Sequence, residues 1–448
     1  MKYLISCCSF LCLALTGMAQ VIIQKDPVIE KMVAEVNADS LKADILQLVG
    51  FGTRHTLSTA DPKKGIGAAR EWILSRFRDF SKNSEGRMTV EADKWVLPAD
   101  KNRVDVTAEV GNAMAILHGT DTADKRIFII SGHMDSRVSD VMNRSSDAPG
   151  ANDDGSGTAA VLECARVMSR HAFPATIIFV AVCGEEQGLL GSDHLAERAK
   201  QNNWDIEGVL NNDIMGSNQS SETHIIDNTR IRVFSEGLPY FELDKNAQNI
   251  RTMGLENDGR ARQLARYVRE MGERYVANLE VVLVYRNDRF LRGGDHSSFV
   301  QRGYTAVRIT EMNENYEHQH QDVRMEKDIQ YGDLASFMDF EYLRKNTALN
   351  LACLANLAKS PPPPLALKMD VQRLGNSTWL YWKAPKTGRP KGYYVLMRET
   401  YQALWQKKFF TSGTEMRLPY SKDNYFFAVQ SVGEDGNEGL PVVPSIGR

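Results

Sequence analysis

The sequence predicts an α/β protein with a mostly parallel central sheet, helices on both faces of that sheet, and a small C-terminal all-β sandwich. In residues 20–358, short apolar runs typical of buried strands alternate with amphipathic helical patterns. The clearest of these runs is 175–182, Ala-Thr-Ile-Ile-Phe-Val-Ala-Val. After the four consecutive prolines at 361–364, apolar and polar residues alternate in short segments, as in an antiparallel β-domain.

The composition is that of an ordinary globular protein. The chain has 448 residues, of which 42% are hydrophobic and 25% are charged, and its net charge is -3. This length leaves room for two or three domains. The near-neutral charge indicates no nucleic-acid partner. Beyond the N-terminus, no run reaches the roughly 20 apolar residues that a membrane-spanning helix needs, so we expect no membrane span.

The first 19 residues have the pattern of a signal peptide. A short charged start is followed by an apolar core at 4–15 and by the small residues at 17–19, which predict cleavage before Gln20. We therefore expect an exported protein, either periplasmic or secreted. The three cysteines outside this segment permit at most one disulfide and favour buried free thiols: Cys164, Cys183 and Cys353.

The larger predicted domain, residues 20–358, begins with two helices and several short strands. The helices are 39–51 and 67–80, and the strands are 88–96, 104–110 and 113–117. Buried strands are then predicted at 126–131, 175–182, 209–212, 281–285 and 306–310. Helices at 158–168, 191–200 and 259–271 lie between them, and a long final helix falls within 325–358. This alternation predicts crossover connections and a mostly parallel sheet.

A proline-rich linker at 359–364 separates that domain from the C-terminal module, residues 365–448. The module contains five short alternating segments, which predict strands at 365–371, 377–382, 392–398, 407–411 and 425–432. Evenly spaced short strands with turn residues between them are typical of a β-sandwich.

Two adjacent glutamates, Glu185 and Glu186, directly follow the buried strand at 175–182. Neighbouring side chains at a strand end point in different directions, so one site can use the two carboxylates for different purposes. By itself such a pair is more often a solvated turn, because carboxylates are mostly exposed.

Four other polar stretches also follow predicted strands. They are 132–136 with His133 and Asp135, 149–157 with Asp153, 211–216 with Asp213, and 315–322 with His318 and His320. Each has an ordinary alternative: a histidine bound to a local carbonyl, an acidic helix N-cap, a turn-forming aspartate, or a surface turn. Because the carboxyl ends of parallel strands line one crevice, the stretches together predict a single site.

The residue types at these strand ends predict a zinc site. Histidine and carboxylate ligands without thiolate suit hydrolytic zinc, and five such residues suffice for two ions if one carboxylate is shared. Two ions would hold a water and a substrate oxygen together, and the remaining glutamate would act as the general base.

These motifs resemble those of peptidase family M28, the co-catalytic zinc aminopeptidases of the bacterial leucine-aminopeptidase type. The resemblance covers roughly residues 41–358. The motifs occur in the family's order: His133-x-Asp135-Ser136, Asn152-Asp153-x-Gly155-Ser156-Gly157, Gly184-Glu185-Glu186-x-Gly188 and Asn212-Asp213-x-x-Gly216.

The resemblance implies a role for each matched residue. His133 and Asp213 would be terminal ligands on opposite metal ions, and Asp153 would bridge the two ions. Glu186 would be a further zinc ligand, and Glu185 would be the general base.

For the last ligand the resemblance favours His318 over His320, because Asp322 follows His318 at the family's usual interval of four residues. Tyr316 precedes His318 by two residues, which departs from the usual Tyr-His pair and leaves an oxyanion-donor role for Tyr316 unsupported.

Three further residues are expected beside the ligands. Asp295 and His296 lie in 294–299, which resembles another family segment that lines the site, and His296 is expected to face the substrate or a ligand. Asp135 is expected to orient the His133 imidazole.

The resemblance thus implies an aminopeptidase with two zinc ions per chain that hydrolyses N-terminal residues, with apolar ones expected, from peptides with a free N-terminus. Two alternatives stay open: a glutaminyl cyclase with a single zinc, and a non-catalytic binding or receptor-like module with the same fold. The C-terminal module resembles a fibronectin type III-like domain through 379–382, 392–395 and 425–429. It is expected to serve in surface or substrate docking, or else as a spacer that stabilises the peptidase domain.

Overall fold

The structure is a computed structural model that describes residue 23 and residues 25–59, 61–100, 102–238 and 240–447, without the side chains of 240–246. The predicted signal peptide, residues 1–19, lies outside the described residues. Among the helices within these ranges, none is long and apolar enough to cross a membrane.

An eight-stranded sheet forms the centre of the larger domain. Its strands are β1 (Met88–Leu97), β2 (Ala108–Leu117), β3 (Arg126–His133), β4 (Thr176–Val182), β5 (Asp205–Asn212), β6 (Arg230–Phe234), β7 (Glu280–Val284) and β8 (Ala306–Glu311). They are arranged in the order β1-β2-β4-β3-β5-β8-β6-β7. The four central strands β4, β3, β5 and β8 are parallel, whereas β1, β2 and β6 pair antiparallel with their inner neighbours.

Helices cover both faces of this sheet, as predicted. They are α1 (Pro27–Ala34), α2 (Ala38–Val49), α3 (Gly65–Ser81), α4 (Gly155–Met168), α5 (Leu190–Gln201), α6 (Tyr240–Met253), α7 (Arg260–Tyr275), α8 (His296–Gln301) and α9 (Phe340–Lys359). Along β3, Phe128 and Ile130 pack into the core formed with α4 and α9, whereas Ile129 packs on the opposite face against α5 and α8. This alternation is the two-residue period of a strand that is buried on both sides.

The predicted division of 104–117 into two strands is wrong. The segment forms one strand, β2, which pairs with β1 without interruption from Ala108 to Leu117. Gly111 lies in the middle of β2, where a Cβ would lie 2.9 Å from the Asp93 backbone oxygen of β1. The glycine therefore permits close approach of the two strands and does not interrupt β2.

The C-terminal module contains two facing sheets. A hairpin of β9 (Arg324–Glu326) and β10 (Ile329–Tyr331) precedes α9 and lies outside this module. The strands of the module are β11 (Leu365–Asp370), β12 (Thr378–Lys383), β13 (Gly392–Glu399), β14 (Lys407–Thr411), β15 (Glu415–Leu418), β16 (Tyr425–Val432) and β17 (Ser445–Gly447). One sheet has the order β15-β12-β11-β17 and the other β14-β13-β16. Leu380 and Trp382 of the first sheet share a core with Val395 and Val429 of the second, as in a β-sandwich. The resemblance of this module to fibronectin type III domains stays a prediction. The predicted domain boundaries also stay predictions.

The module packs closely against α7 of the larger domain. The Tyr267 hydroxyl donates to the backbone oxygen of Glu438 over 2.8 Å, and Arg274 pairs with the Glu438 carboxylate at 2.7 Å. Glu438 is fully buried in this contact. Cys164, Cys183 and Cys353 are buried free thiols, which confirms the expectation.

Candidate metal centre

The sheet order brings the predicted polar stretches to one edge of the sheet. His133 is the last residue of β3, Glu185 and Glu186 follow β4, and Asp213 follows β5. These strands are parallel neighbours, so their carboxyl ends lie side by side. Asp153 lies in the loop that leads into α4, the helix packed on β3.

A first group of possible metal ligands consists of His133, Asp153 and Asp213. His133 Nε2 lies 3.1 Å from Asp153 Oδ1 and 3.9 Å from Asp213 Oδ1. All three residues are buried, and their ligand atoms lie within 4.8 Å of one another.

A second group consists of Asp153, Glu186 and His320. His320 Nε2 lies 2.9 Å from Asp153 Oδ2 and 2.9 Å from Glu186 Oε1. Asp153 therefore belongs to both groups, with one carboxylate oxygen directed to each. A carboxylate placed in this way can offer one oxygen to each of two ligand groups.

The donor atoms fit zinc on chemical grounds. They are imidazole nitrogens and carboxylate oxygens, the ligand set of hydrolytic zinc sites. His133 Nε2 and Glu186 Oε1 are buried and make no well-aligned hydrogen bond among the described residues, and their near polar neighbours, Asp153 Oδ1 at 3.1 Å and His320 Nε2 at 2.9 Å, are themselves potential ligand atoms. A buried polar atom without a partner is costly, and a bound cation removes that cost.

The structure places His320, and not the favoured His318, in this cluster. The His318 ring is stacked on Phe337, with centroids 3.7 Å apart and an interplanar angle of 10°. Burial there lowers the pKa of His318 to about 4. His320 has a left-handed backbone (φ 55°), and this turns its side chain toward Asp153 and Glu186. The four-residue interval between His318 and Asp322 therefore does not identify the histidine that lies in the cluster.

Two other expected residues lie at the margin of the site. Tyr316 is 55% exposed and belongs neither to the cleft lining nor to a ligand group, so the structure gives no support for an oxyanion role. His296 begins α8, and its Nε2 lies 2.8 Å from the backbone oxygen of Asn287. His296 is therefore held by the protein backbone and is not part of either ligand group.

Asp295 is buried beside the site. Neither of its carboxylate oxygens has a hydrogen-bond partner within the described part of the chain. Burial raises the pKa of Asp295 to about 7, despite the charge of His133 nearby. Its position agrees with the expected supporting role, but the structure shows no direct contact with a ligand.

Glu185 lines the same cleft as the ligand groups but belongs to neither. The cleft is a cavity of about 280 Å³ that also exposes Asp153, Glu186, Asp213 and His320. Burial raises the pKa of Glu185 well above its usual range, and the charges of Glu186, Asp213 and Asp295 add to this effect. Because Glu185 belongs to neither ligand group, its carboxylate is available to exchange a proton at the edge of the cluster, as a general base does.

Asp135 connects two of the predicted stretches. Its Oδ1 accepts a hydrogen bond from Gly184 N over 2.9 Å, and its Oδ2 accepts one from Glu186 N over 3.0 Å. His133 Nδ1 lies 3.2 Å from the Asp135 backbone oxygen, whereas the Asp135 Oδ1 is 3.6 Å away. Asp135 therefore orients the glutamate turn as well as the His133 imidazole.

Three residues that the sequence analysis did not assign hold the ligand loops in place. Asp154 accepts hydrogen bonds from His133 N and Gly157 N, both over 2.8 Å. Asp333 accepts from Asp153 N over 2.7 Å. The buried Arg54 donates to the backbone oxygens of Met134 and Gly150 over 2.7 and 2.8 Å.

Only Asp154 was detectable from the sequence, because the loop before α4 carries more carboxylate than a helix cap needs. The position of Asp154 also explains why residue 157 is a glycine. A Cβ at Gly157 would collide with the Asp154 carboxylate and the Asn212 backbone oxygen. Arg54 and Asp333 come from distant loops without a motif.

The sequence is similar to a peptidase family and to proteins described as probable zinc metalloproteases. A sequence model described as "Peptidase family M28" matches residues 112–340. A probable zinc metalloprotease of Leptosphaeria maculans is 42% identical over 418 residues, which cover 93% of this chain and 96% of that protein. A probable zinc metalloprotease of Pyricularia oryzae is 42% identical over 427 residues, which cover 94% of this chain and 84% of that protein.

Solved structures share the fold. The LapA aminopeptidase of Legionella pneumophila superposes with a TM-score of 0.54 at 18% identity, covering 76% of this chain and 77% of LapA. An aminopeptidase from Aneurinibacillus sp. strain AM-1 superposes with a TM-score of 0.51 at 15% identity, covering 75% of this chain and 97% of that enzyme.

Proposed function

This chain belongs to peptidase family M28 and is a zinc-dependent peptidase, and from that premise we propose that it is an exported aminopeptidase with two zinc ions. In this proposal the substrate is a peptide with a free N-terminus, and the enzyme hydrolyses its first peptide bond. The observation that carries the proposal is the position of Asp153 between two separate ligand groups.

The ligands divide between the two ions. His133 and Asp213 would hold one ion, Glu186 and His320 would hold the other, and Asp153 would bridge them. Compared with the sequence analysis, His320 replaces His318. Zinc, when bound, would supply the positive charge that polarises the scissile carbonyl and makes water more acidic.

Glu185 would move the proton. As a carboxylate it would accept a proton from the attacking water and pass that proton to the leaving amine as the peptide bond breaks. Its position in the cleft beside both ligand groups supports this role. Asp135 would keep Glu185 in place, because its Oδ1 also accepts from Glu185 N over 3.3 Å.

Two ions are favoured over the single ion of a glutaminyl cyclase because the ligand groups share only Asp153 and each has two further donors. A non-catalytic module is disfavoured because the potential base and all five ligands are present in one cleft.

Two further parts of the proposal rest on other regions. Export rests on the signal-peptide pattern of residues 1–19. For the C-terminal module, the buried contacts with α7 support stabilisation of the peptidase domain more than docking of an external partner.

A product analysis tests the proposal. The zinc-loaded mature protein is incubated with peptides that have free, N-acetylated or glutamine N-termini, and the products are identified by mass spectrometry. An aminopeptidase releases the first residue from free N-termini and spares acetylated ones. Loss of ammonia from an otherwise intact glutamine peptide would instead identify a cyclase.

A further inference from the structure

We infer that the substrate carries a carboxylate, which arginine side chains in the cleft bind beside the metal site. This inference rests on the proposed peptidase function and specifies its substrate class. The expected preference for apolar first residues rests on the family resemblance alone.

The inference rests on the side chains that line the cleft, which include several arginines. Four arginines face the cavity of about 280 Å³ that contains the ligand groups: Arg103, Arg137, Arg289 and Arg292. Apolar side chains are few, since the only large ones among the described lining residues are Leu189 and Leu291. A pocket for a leucine-like side chain is typically lined mostly by hydrophobic residues.

The acidic residues of the cleft do not neutralise these arginines once metal is bound. All four lining carboxylates, on Asp153, Glu185, Glu186 and Asp213, already have proposed roles as ligands or as the base. Two zinc ions would add positive charge to a cleft that already contains the four guanidinium groups. A negatively charged substrate group is therefore favoured electrostatically.

The arginines differ in how far they are already engaged. Arg289 is mostly buried and pairs with Asp288 at 3.2 Å and with Glu314 at 2.8 Å, so it positions its neighbours. Arg103 is exposed and donates to the backbone oxygen of Glu186 over 2.7 Å.

Arg137 and Arg292 are the best candidates for direct contact with substrate. The Arg137 side chain is 17% exposed, lies 3.7 Å from Glu186 Oε2, and its buried Nε has no hydrogen-bond partner among the described residues. The Arg292 side chain is 30% exposed, and its Nη1 donates to Gln319 Oε1 over 3.1 Å and lies 3.5 Å from Glu314 Oε2, which Arg289 also pairs with. Each guanidinium has further N–H groups, and the planar fork suits a carboxylate.

The substrate carboxylate has two possible sources: the side chain of an acidic first residue, or the C-terminus of a short peptide. One arm of the experiment compares glutamyl- with glutaminyl-p-nitroanilide, which lack a terminal carboxylate. The other arm compares leucyl-glycine with leucyl-glycine amide. In each pair the two members differ only by a carboxylate and its amide.

The zinc-loaded full-length mature protein is compared with Arg292→Gln, Arg137→Gln and the control Arg389→Gln. Arg389 is an exposed arginine of the C-terminal module, outside the cleft. The zinc content of each protein is measured on the same sample, so that loss of metal is distinguished from loss of substrate binding.

We expect the acid to exceed its amide in kcat/KM by about tenfold or more in one arm, the typical effect of a charge-assisted hydrogen bond. Arg292→Gln or Arg137→Gln should reduce that ratio several-fold, and Arg389→Gln should preserve it. Ratios within about twofold in both arms, or ratios unchanged in both cleft variants, would overturn the inference.

A binding measurement separates this inference from the proposed function. Isothermal titration calorimetry compares glutarate with valerate, which has the same chain length but only one carboxylate. Tighter glutarate binding that depends on Arg292 or Arg137 supports the carboxylate site even if no peptide is hydrolysed. Equal affinities for the two acids would overturn the inference even if peptides are hydrolysed.

Discussion

His320 Nε2 lies 2.9 Å from Oδ2 of Asp153, whose other carboxylate oxygen faces His133 Nε2 at 3.1 Å. The two histidines come from distant parts of the chain, the end of β3 and the loop after β8. Asp153 is therefore the residue that joins two ligand groups into one site. A site for two zinc ions in this protein depends on that relationship.

Replacement of Glu185 by Gln should abolish most turnover and preserve the zinc content. The amide keeps the size of the side chain but does not accept the proton from water, and general bases typically contribute about 10²- to 10⁴-fold to the rate. Steady-state kinetics with metal analysis tests this. Glu326→Gln, at an exposed position of β9, is the matched control and should leave kcat unchanged. Near-normal turnover in Glu185→Gln would rule out this base.

The two histidines of 315–322 should behave differently when each is replaced by Ala. His320→Ala should lose bound zinc and activity, because it removes a donor of the second ligand group. His318→Ala should keep its zinc and lose only stability, about 1 kcal/mol or more from the stacking contact with Phe337. The reverse pattern in metal analysis would restore His318 as the ligand.

Removal of the Asp258 carboxylate should destabilise the contact between the larger domain and the C-terminal module. Asp258 is buried and pairs with Arg266 at 3.1 Å and with Arg398 of β13 at 2.6 Å. Asp258→Ala would leave both guanidinium groups buried without their partner, at a cost of about 3–5 kcal/mol.

Chemical denaturation measures this cost. The control is Asp435→Ala, since Asp435 is 66% exposed and pairs with Lys359 at 3.4 Å near the same contact. An exposed pair contributes only about 0–1 kcal/mol. Equal effects of the two substitutions would argue against a buried ionic contact between the domains.

Asp44 of α2 should make stability depend on pH. Burial raises its pKa to about 6 from an ordinary value of 3.8, even though Arg76 lies 3.6 Å away. The folded state therefore binds the proton more tightly, and this stabilisation is complete below pH 3.8 and is lost as the pH rises through about 6.

The free energy of unfolding of Asp44→Asn, relative to that of the wild type, should therefore increase by about 2 kcal/mol when the pH is raised from roughly 4.5 to roughly 8. Denaturation midpoints at both pH values measure the gain. Asp39→Asn, at an exposed position of the same helix, should show a much smaller pH-dependent difference. A constant difference between Asp44→Asn and the wild type would contradict the raised pKa.

The sequence predicted the α/β fold and five of the six residues that form the proposed site. Apolar runs identify buried strands, and parallel strands bring their carboxyl ends together, so His133, Glu185 and Asp213 had to lie close to one another. Asp153 and Glu186 followed from motifs attached to those strands.

Local backbone geometry and distant contacts were not predictable. The choice between His318 and His320 depends on a left-handed residue at His320, which spacing does not reveal. Arg54 and Asp333 reach the site from loops whose approach depends on tertiary packing. Strand β6 was also missed, because Arg230 and Arg232 interrupt its apolar residues.

The zinc-to-protein ratio of the fully active enzyme tests the central claim most directly. Metal-free protein is titrated with zinc, and bound zinc is measured by mass spectrometry alongside peptidase activity. The account predicts two zinc ions per chain, with full activity only after the second ion binds, and loss of both ions or of tight binding in Asp153→Ala. Full activity with a single zinc ion per chain would contradict it.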